Sequence, residues 1–374
     1  MRIALLGAGH IGGSLALALK HGGGDIHITA YDQARDHAEH LLARGAVDAV
    51  ASIAADAVRD ADVVFFAVPL RSYRALAQSI APALTRGAII TDVGSVKSSM
   101  RSVATLLPTA RIVPGHPIAG SEKSGPVAAR DDLFKNRLCI LTPADSTDAD
   151  ALQIIETLWH LTGADLLHMP TDVHDQIYAY VSHLPHFIAF VAASYFHALG
   201  ANILPDDAIL QQFLRISRSN ARMWSDVALE NREALLPALA TYLALLEHFV
   251  TELRAGEKSE QTAEAIQVAK TLLPRILAAS LISSVSLYEK QSGMDLRPFG
   301  AGGMRDIVAP AAHAPEADME AISHASHAVA DQIEAILPRF RALEKMIGAE
   351  DADGLFAAVT AMVADAHTLI TPRN

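Results

Sequence analysis

The sequence predicts an α/β fold: a doubly wound, mostly parallel sheet followed by an all-α C-terminal domain. Three observations carry this expectation. Short apolar runs alternate with helix-favouring stretches over the first 170 residues, a glycine turn joins the first run to the first helix, and after Pro170 long Ala/Leu-rich segments with helical spacing take over.

The runs at residues 2 to 7, 26 to 31, 62 to 68 and 87 to 92 are short and almost free of charge, the pattern of strands covered on both faces. Between them Ser14 to Lys20, Ala34 to Arg44 and Ser72 to Leu84 favour helix, which gives βαβ alternation. Further runs at 110 to 114, 137 to 142 and 164 to 168 are expected to extend the same sheet. The domains expected are 1 to 170, 171 to 255 and 256 to 374.

With 374 residues, 51% of them hydrophobic, the chain can build two or three packed cores. A formal charge of −12 with no block of like charges argues against a nucleic acid or an anionic membrane as partner. Cys139 is the only cysteine, so no intrachain disulfide forms and a zinc site on paired cysteines is excluded; no metal is expected. The opening apolar run is too short for a signal peptide. Phe187 to Leu204 is the most membrane-like stretch, but His197 and Asn202 interrupt it and Pro185 and Pro205 bracket it, so a buried helix is expected. A soluble cytoplasmic protein follows.

Within the helical half, Leu184-Pro185-His186 and its apolar helix recur as Leu273-Pro274-Arg275 with another, about ninety residues on. Residues 256 to 374 are read as a degenerate copy of 172 to 255, the alternative being two Ala/Leu-rich stretches alike in composition only. In that copy Arg275 stands where His186 does in the first.

The turn Gly7-Ala8-Gly9-His10-Ile11-Gly12 follows a predicted strand and opens a predicted helix, the context that makes Gly-x-Gly-x-x-Gly a Rossmann-type dinucleotide turn. The first glycine makes the turn, the second lets the backbone approach a pyrophosphate, and the third lets helix and strand pack closely. Val68 and Pro69, at the end of the run 62 to 68, are counted with Gly7, Gly9, His10, Ile11 and Gly12 among the cofactor contacts. Asp32 closes the second strand about twenty residues after Gly12, where a carboxylate accepts from ribose hydroxyls and repels a 2′-phosphate. NAD is therefore expected over NADP, although Arg35 nearby is a residue that can accept a 2′-phosphate.

Two loops at predicted strand ends carry polar clusters: Asp92-Val93-Gly94-Ser95-Val96-Lys97 and Gly115-His116-Pro117-Ile118-Ala119-Gly120-Ser121-Glu122-Lys123. Ligands of open parallel sheets bind outside such ends, and a histidine there can take the proton of a hydroxyl being oxidised. Together with Ser182-His183-Leu184-Pro185-His186, Arg215-Ile216, Met223-Trp224 and Leu229-Glu230-Asn231, the chain from 1 to about 255 resembles the prephenate and arogenate dehydrogenase family. The resemblance implies NAD-dependent oxidative decarboxylation of prephenate to 4-hydroxyphenylpyruvate, or of arogenate to tyrosine. It implies His116 as the base on the ring hydroxyl, Ser95 as the residue that orients it and touches the same hydroxyl, and Arg215 as the partner of a substrate carboxylate. His186 would line the pocket, Glu122 would stand at its mouth and Trp224 would form a wall. Asp175, three helical turns before His186, is expected to hold that histidine.

The family's glycine-rich turn before the substrate arginine is missing here, where Leu210-Gln211-Gln212-Phe213-Leu214 precedes Arg215. The resemblance also implies a homodimer through the helical domain, with an intrachain pseudo-dimer of helical repeats as the alternative. Competing readings are a dehydrogenase for an amino-substituted prephenate or another hydroxy acid, and a non-catalytic NAD-binding regulator that would lack Ser95, His116 or Arg215.

Overall fold

The structure is a computed structural model and describes residues 1–120, 123–200, 208–256, 262–299, 304 and 315–370. It divides into two compact units, Met1–Asp175 and Gln176–Asn374.

The first unit opens with β1 (Arg2–Leu6), α1 (His10–His21), β2 (His27–Tyr31), α2 (Arg35–Ala43), β3 (Ala49–Val50), α3 (Ala54–Ala57), β4 (Val63–Phe66), α4 (Tyr73–Ile80), β5 (Ile89–Asp92), α5 (Met100–Leu106) and β6 (Arg111–Ile112). These strands make one parallel six-stranded sheet in the order β3-β2-β1-β4-β5-β6, with the order reversing between β1 and β4. Every residue of β4 and β5 is buried, as the uncharged runs require of strands covered on both faces. On one face Leu15, Leu19, Phe65, Ile155 and Trp159 share a core cluster, and Phe65 and Phe134 both meet Trp159 edge-on.

The runs at 137 to 142 and 164 to 168 form a second sheet instead of lengthening the first. β7 (Gly115–Pro117) lies antiparallel to β8 (Leu138–Leu141), which lies parallel to β9 (Asp165–His168); α6 (Ala149–Leu161) connects β8 to β9. Pro114 is the pivot. Val113 still donates to Ile90 of the large sheet, Pro114 has no N–H to continue that ladder, and its carbonyl accepts from Thr142 beside β8. β7 therefore turns away from the first sheet carrying His116.

A helical run from Thr171 to Ala198 crosses the division between the units: α7 (Thr171–Tyr178), one π-helical turn at Ala179–His183, and α8 (Leu184–Ala198). Pro185 stands in the first turn of α8, where it cannot donate and would crowd the carbonyl of the preceding turn; the widened π turn accommodates it. The second unit continues with α9 (Ala208–Ile216), α10 (Ala221–Glu230), α11 (Arg232–Ala255), α12 (Ala263–Ser292), α13 (Pro315–His324), α14 (Ser326–Gly348) and α15 (Ala352–Ile370). α14 packs along α11, and α15 packs on α8 and α10.

Among the described residues three helical stretches are long and apolar enough to cross a membrane: Thr171–Ala198, Arg232–Ala255 and Ala263–Ser292. The most apolar window of the first is 83% buried within the protein, which makes the stretch around Phe187 a core helix, as its histidine and flanking prolines suggest. For the other two the figures are 39% and 50%, since each presents a second face that α14 and its neighbours only partly cover.

Candidate functional site

The glycine turn has the geometry its spacing implies. Gly7 adopts φ +109°, and a Cβ there would stand 2.3 Å from the carbonyl oxygen of Ala67. A Cβ on Gly12 would lie 2.1 Å from the carbonyl oxygen of Gly7, so the third glycine lets α1 start against the turn. A Cβ on Gly9 would meet no atom within 4 Å, the open approach a pyrophosphate needs, and no side chain caps the first turn of α1. Ile11 is half-buried and packs on the core, Val68 flanks Gly7, and Pro69 is exposed beside it. His10 is committed elsewhere: its Nδ1 donates to the carbonyl of Lys123 at 3.1 Å, tying the turn to the loop after β7.

Asp32 accepts from Ala8 N at 2.7 Å through one oxygen and from Ala34 N at 2.9 Å through the other. Each oxygen keeps a lone pair for a ribose hydroxyl. Arg35 is held by its neighbours, Nε to Glu39 at 2.7 Å and Nη1 to Ser52 at 3.0 Å, which removes the main objection to NAD. These residues fit the dinucleotide: an open helix start for the pyrophosphate and a carboxylate where the ribose would lie.

At the end of β5, Asp92 is wholly buried and satisfied. Its Oδ2 accepts from Tyr73 Oη at 2.9 Å, Gly94 N at 3.0 Å and Lys97 Nζ at 2.5 Å, and its Oδ1 accepts from Gly115 N at 3.1 Å. Lys97, also fully buried, gives a second bond to the carbonyl of Gly115 at 2.5 Å. One ion pair thus fixes both the loop bearing Ser95 and the strand bearing His116. Both residues are half-buried.

His116 is oriented by a residue the sequence did not single out. Its Nδ1 lies 2.8 Å from Nε2 of His174, whose Nδ1 lies 2.7 Å from Asp175 Oδ1. The same carboxylate accepts from Lys97 N at 2.8 Å and Ser98 N at 2.9 Å. The bond at His116 Nδ1 goes to His174 of α7. Asp175 does not serve His186: its oxygens are taken by His174 and the β5 loop, and His186 Nδ1 donates to the carbonyl of Ser182 at 2.8 Å. Counting helical turns from Asp175 to His186 fails because the π turn between them breaks the 3.6-residue period. The dipeptide His174-Asp175 was the available signal, an imidazole beside a carboxylate at the start of a helix.

In the second unit His186, Trp224 and Arg215 come together. His186 lies flat on Trp224, and Trp224 is itself boxed by His183, Phe187 and Phe190. Burial, with the nearby Arg215 charge and against a bond to the Ser182 carbonyl, pushes the His186 imidazole down to about 4. It is therefore neutral near pH 7, with Nε2 an acceptor, so Arg215 is the cation of this group. Arg215 is exposed at the end of α9, its Nε donating to Gln212 at 2.9 Å. His183 Nδ1 accepts from Asn231 at 2.8 Å. Glu122 lies outside the described residues.

Comparison with known proteins identifies the family. Residues 15–168 match the nucleotide-binding domain of prephenate dehydrogenase and residues 170–268 its dimerization domain. A cyclohexadienyl dehydrogenase of Zymomonas mobilis is 36% identical over 258 residues, 67% of this chain and 86% of that protein. A prephenate dehydrogenase of Bacillus subtilis is 34% identical over 63% of this chain and 65% of its own length. The crystal structure of an Aquifex aeolicus prephenate dehydrogenase in complex with hydroxyphenyl propionate and NAD+ is similar with a TM-score of 0.61 and 28% identity, covering 79% of this chain and 98% of that one. Both domain models matched in order, and a relative of this identity aligned over most of its length, place the chain in the prephenate dehydrogenase family, as an NAD-dependent dehydrogenase.

Proposed function

We propose that the chain catalyses the NAD-dependent oxidative decarboxylation of prephenate to 4-hydroxyphenylpyruvate, or of arogenate to tyrosine. The observation that carries the reading is His116: a half-buried imidazole on a short strand of the nucleotide unit, held at Nδ1 by His174, with Nε2 as the nitrogen assigned to proton transfer. The relatives named for prephenate and cyclohexadienyl substrates supply the substrate class.

When bound, NAD supplies the hydride acceptor. His116 takes the ring hydroxyl proton as the C–H pair leaves the same carbon, giving a dienone. Loss of the ring carboxylate as CO2 pushes its electron pair through the ring to that oxygen, which takes the proton back from His116. Base and acid are thus one residue, and no proton is left over. Ser95 contacts the same hydroxyl, Arg215 pairs with a substrate carboxylate through its planar fork, His186 accepts from a substrate donor, and Trp224 forms an apolar wall. Glu122 is assigned to the mouth of the pocket.

NADH formation with prephenate and with arogenate tests the reading; none with either overturns it. His116→Asn lowers kcat roughly 10²-fold or more while NAD still binds. Arg215→Ala mainly raises the substrate KM.

For assembly we propose a homodimer through the helical unit, supported by the dimerization-domain match at 170–268. One observation favours the alternative, an intrachain pseudo-dimer in which 256 to 374 is a degenerate copy of 172 to 255. Helices α14 and α15 already lie on α8, α10 and α11, within the matched range. Light scattering separates a dimer mass from a monomer mass. A cytoplasmic location goes with a soluble biosynthetic enzyme, and cell fractionation checks it.

A further inference from the structure

We propose that His174 is a positioning residue, fixing His116 as the Nδ1–H tautomer through the chain Asp175–His174–His116 and so leaving Nε2 as the base. This rests on the reaction proposed above.

Burial pushes the Asp175 carboxyl up, but the bond to His174, the Ser98 contact and Lys97 N outweigh it and bring it down to about 2. Near pH 7 it is ionised, and an ionised carboxylate only accepts. His174 Nδ1 must then carry the proton in their 2.7 Å bond. Burial, only partly opposed by Asp175, holds the His174 imidazole below its usual value, so it is neutral and Nε2 has a lone pair. In the 2.8 Å contact that follows, His116 Nδ1 must be the donor. The proton of His116 is placed on the rear nitrogen by two residues that need not touch the substrate.

The arrangement follows the logic of an acid that orients a histidine, extended by one ring. Both intermediate groups are well shielded: His174 is 0% exposed and Asp175 5%. Among the described residues the charged groups acting on His174 include Asp175 on its own helix and Lys97 and Asp92 at the β5 loop. Once His116 is protonated at Nε2, its Nδ1–H bond to a neutral His174 becomes charge-assisted and steadies the imidazolium. Asp175 also grips Lys97 N and Ser98 N, so the carboxylate that sets the tautomer sets the loop carrying Ser95.

Three variants and one spectroscopic signature test this. His174→Phe keeps the bulk and removes both nitrogens; kcat is expected to fall roughly 10²- to 10⁴-fold with substrate KM and NAD affinity within about threefold. His174→Gln, whose amide oxygen can accept from His116 Nδ1, is expected to recover at least tenfold of that loss, whereas a packing role would favour Phe. Asp175→Asn can donate to His174 and reverse both tautomers. Nitrogen-15 NMR of the imidazoles near pH 7 should show His116 protonated at Nδ1 in the wild type and at Nε2 in Asp175→Asn. The proposal is overturned if His174→Phe keeps kcat within threefold, if Gln does no better than Phe, or if the His116 tautomer does not change. Failure of the wild type on both substrates would instead sink the function, and the NMR comparison would still decide the relay.

Discussion

The imidazole of His186 is stacked on the indole of Trp224, ring centroids 3.6 Å apart and planes 22° from parallel. The contact and a bond from Nδ1 to the Ser182 carbonyl hold the histidine on an aromatic face. Trp224 is 6% exposed, and its Nε1 has no hydrogen-bond partner among the described residues, so the ring is retained for its surface more than its polar end. Trp224→Ala should cost about 3–5 kcal/mol in urea unfolding. Trp224→Phe, which keeps a ring and deletes the unpaired N–H, should cost clearly less; equal losses would show that the indole N–H matters after all.

His186 gives stability a pH dependence. Its pKa falls from 6.5 to about 4 on folding, so between those values the unfolded chain binds more protons. Stability from this group is fully present above 6.5 and is lost as pH falls through about 4. Thermal unfolding of His186→Gln against the wild type should therefore show the wild type's relative advantage shrinking from pH 7 to pH 4. A constant difference over that range would mean the histidine is not held neutral.

Two glycines in one turn should fail differently. Gly12→Ala drives a methyl to 2.1 Å from a backbone oxygen and should lower the melting temperature as well as NAD binding. Gly9→Ala meets no protein atom within 4 Å, so it should melt like the wild type yet bind NAD at least tenfold more weakly. Unchanged NAD affinity in Gly9→Ala would remove the pyrophosphate from that position.

Lys97→Met leaves Asp92 buried without its cation. A loss of about 3–5 kcal/mol is expected from breaking one side of a buried pair. The double variant Lys97→Met with Asp92→Asn should recover part of it; a single variant as stable as the wild type would show that the buried pair contributes nothing to stability.

The parallel strands were legible because each is a continuous apolar run, and the glycine turn because its three constraints are local. β3 was not: two residues at a sheet edge carry no period. The second sheet was hidden because Arg137 to Thr142 reads as a strand whichever sheet it joins, and only the carbonyl of Pro114 decides. In the site, His116 and Ser95 stood out as polar groups at strand ends. His174 did not, since its role depends on a partner 58 residues away, and nothing along the chain marks that distance. Lys97 sits in a segment that reads as a polar loop, whereas folding buries it completely.

The π turn at Ala179–His183 contains one residue more than an α-helix would use for the same height. Each residue along a helix turns the face by about 100°, so removing one there would swing every side chain of α8 by nearly a third of a revolution. His186 would leave Trp224 while Phe187 and Phe190 left the core they fill. The turn thus works as an indexing notch: the length of this segment, more than the identity of its residues, dials which face of α8 is presented.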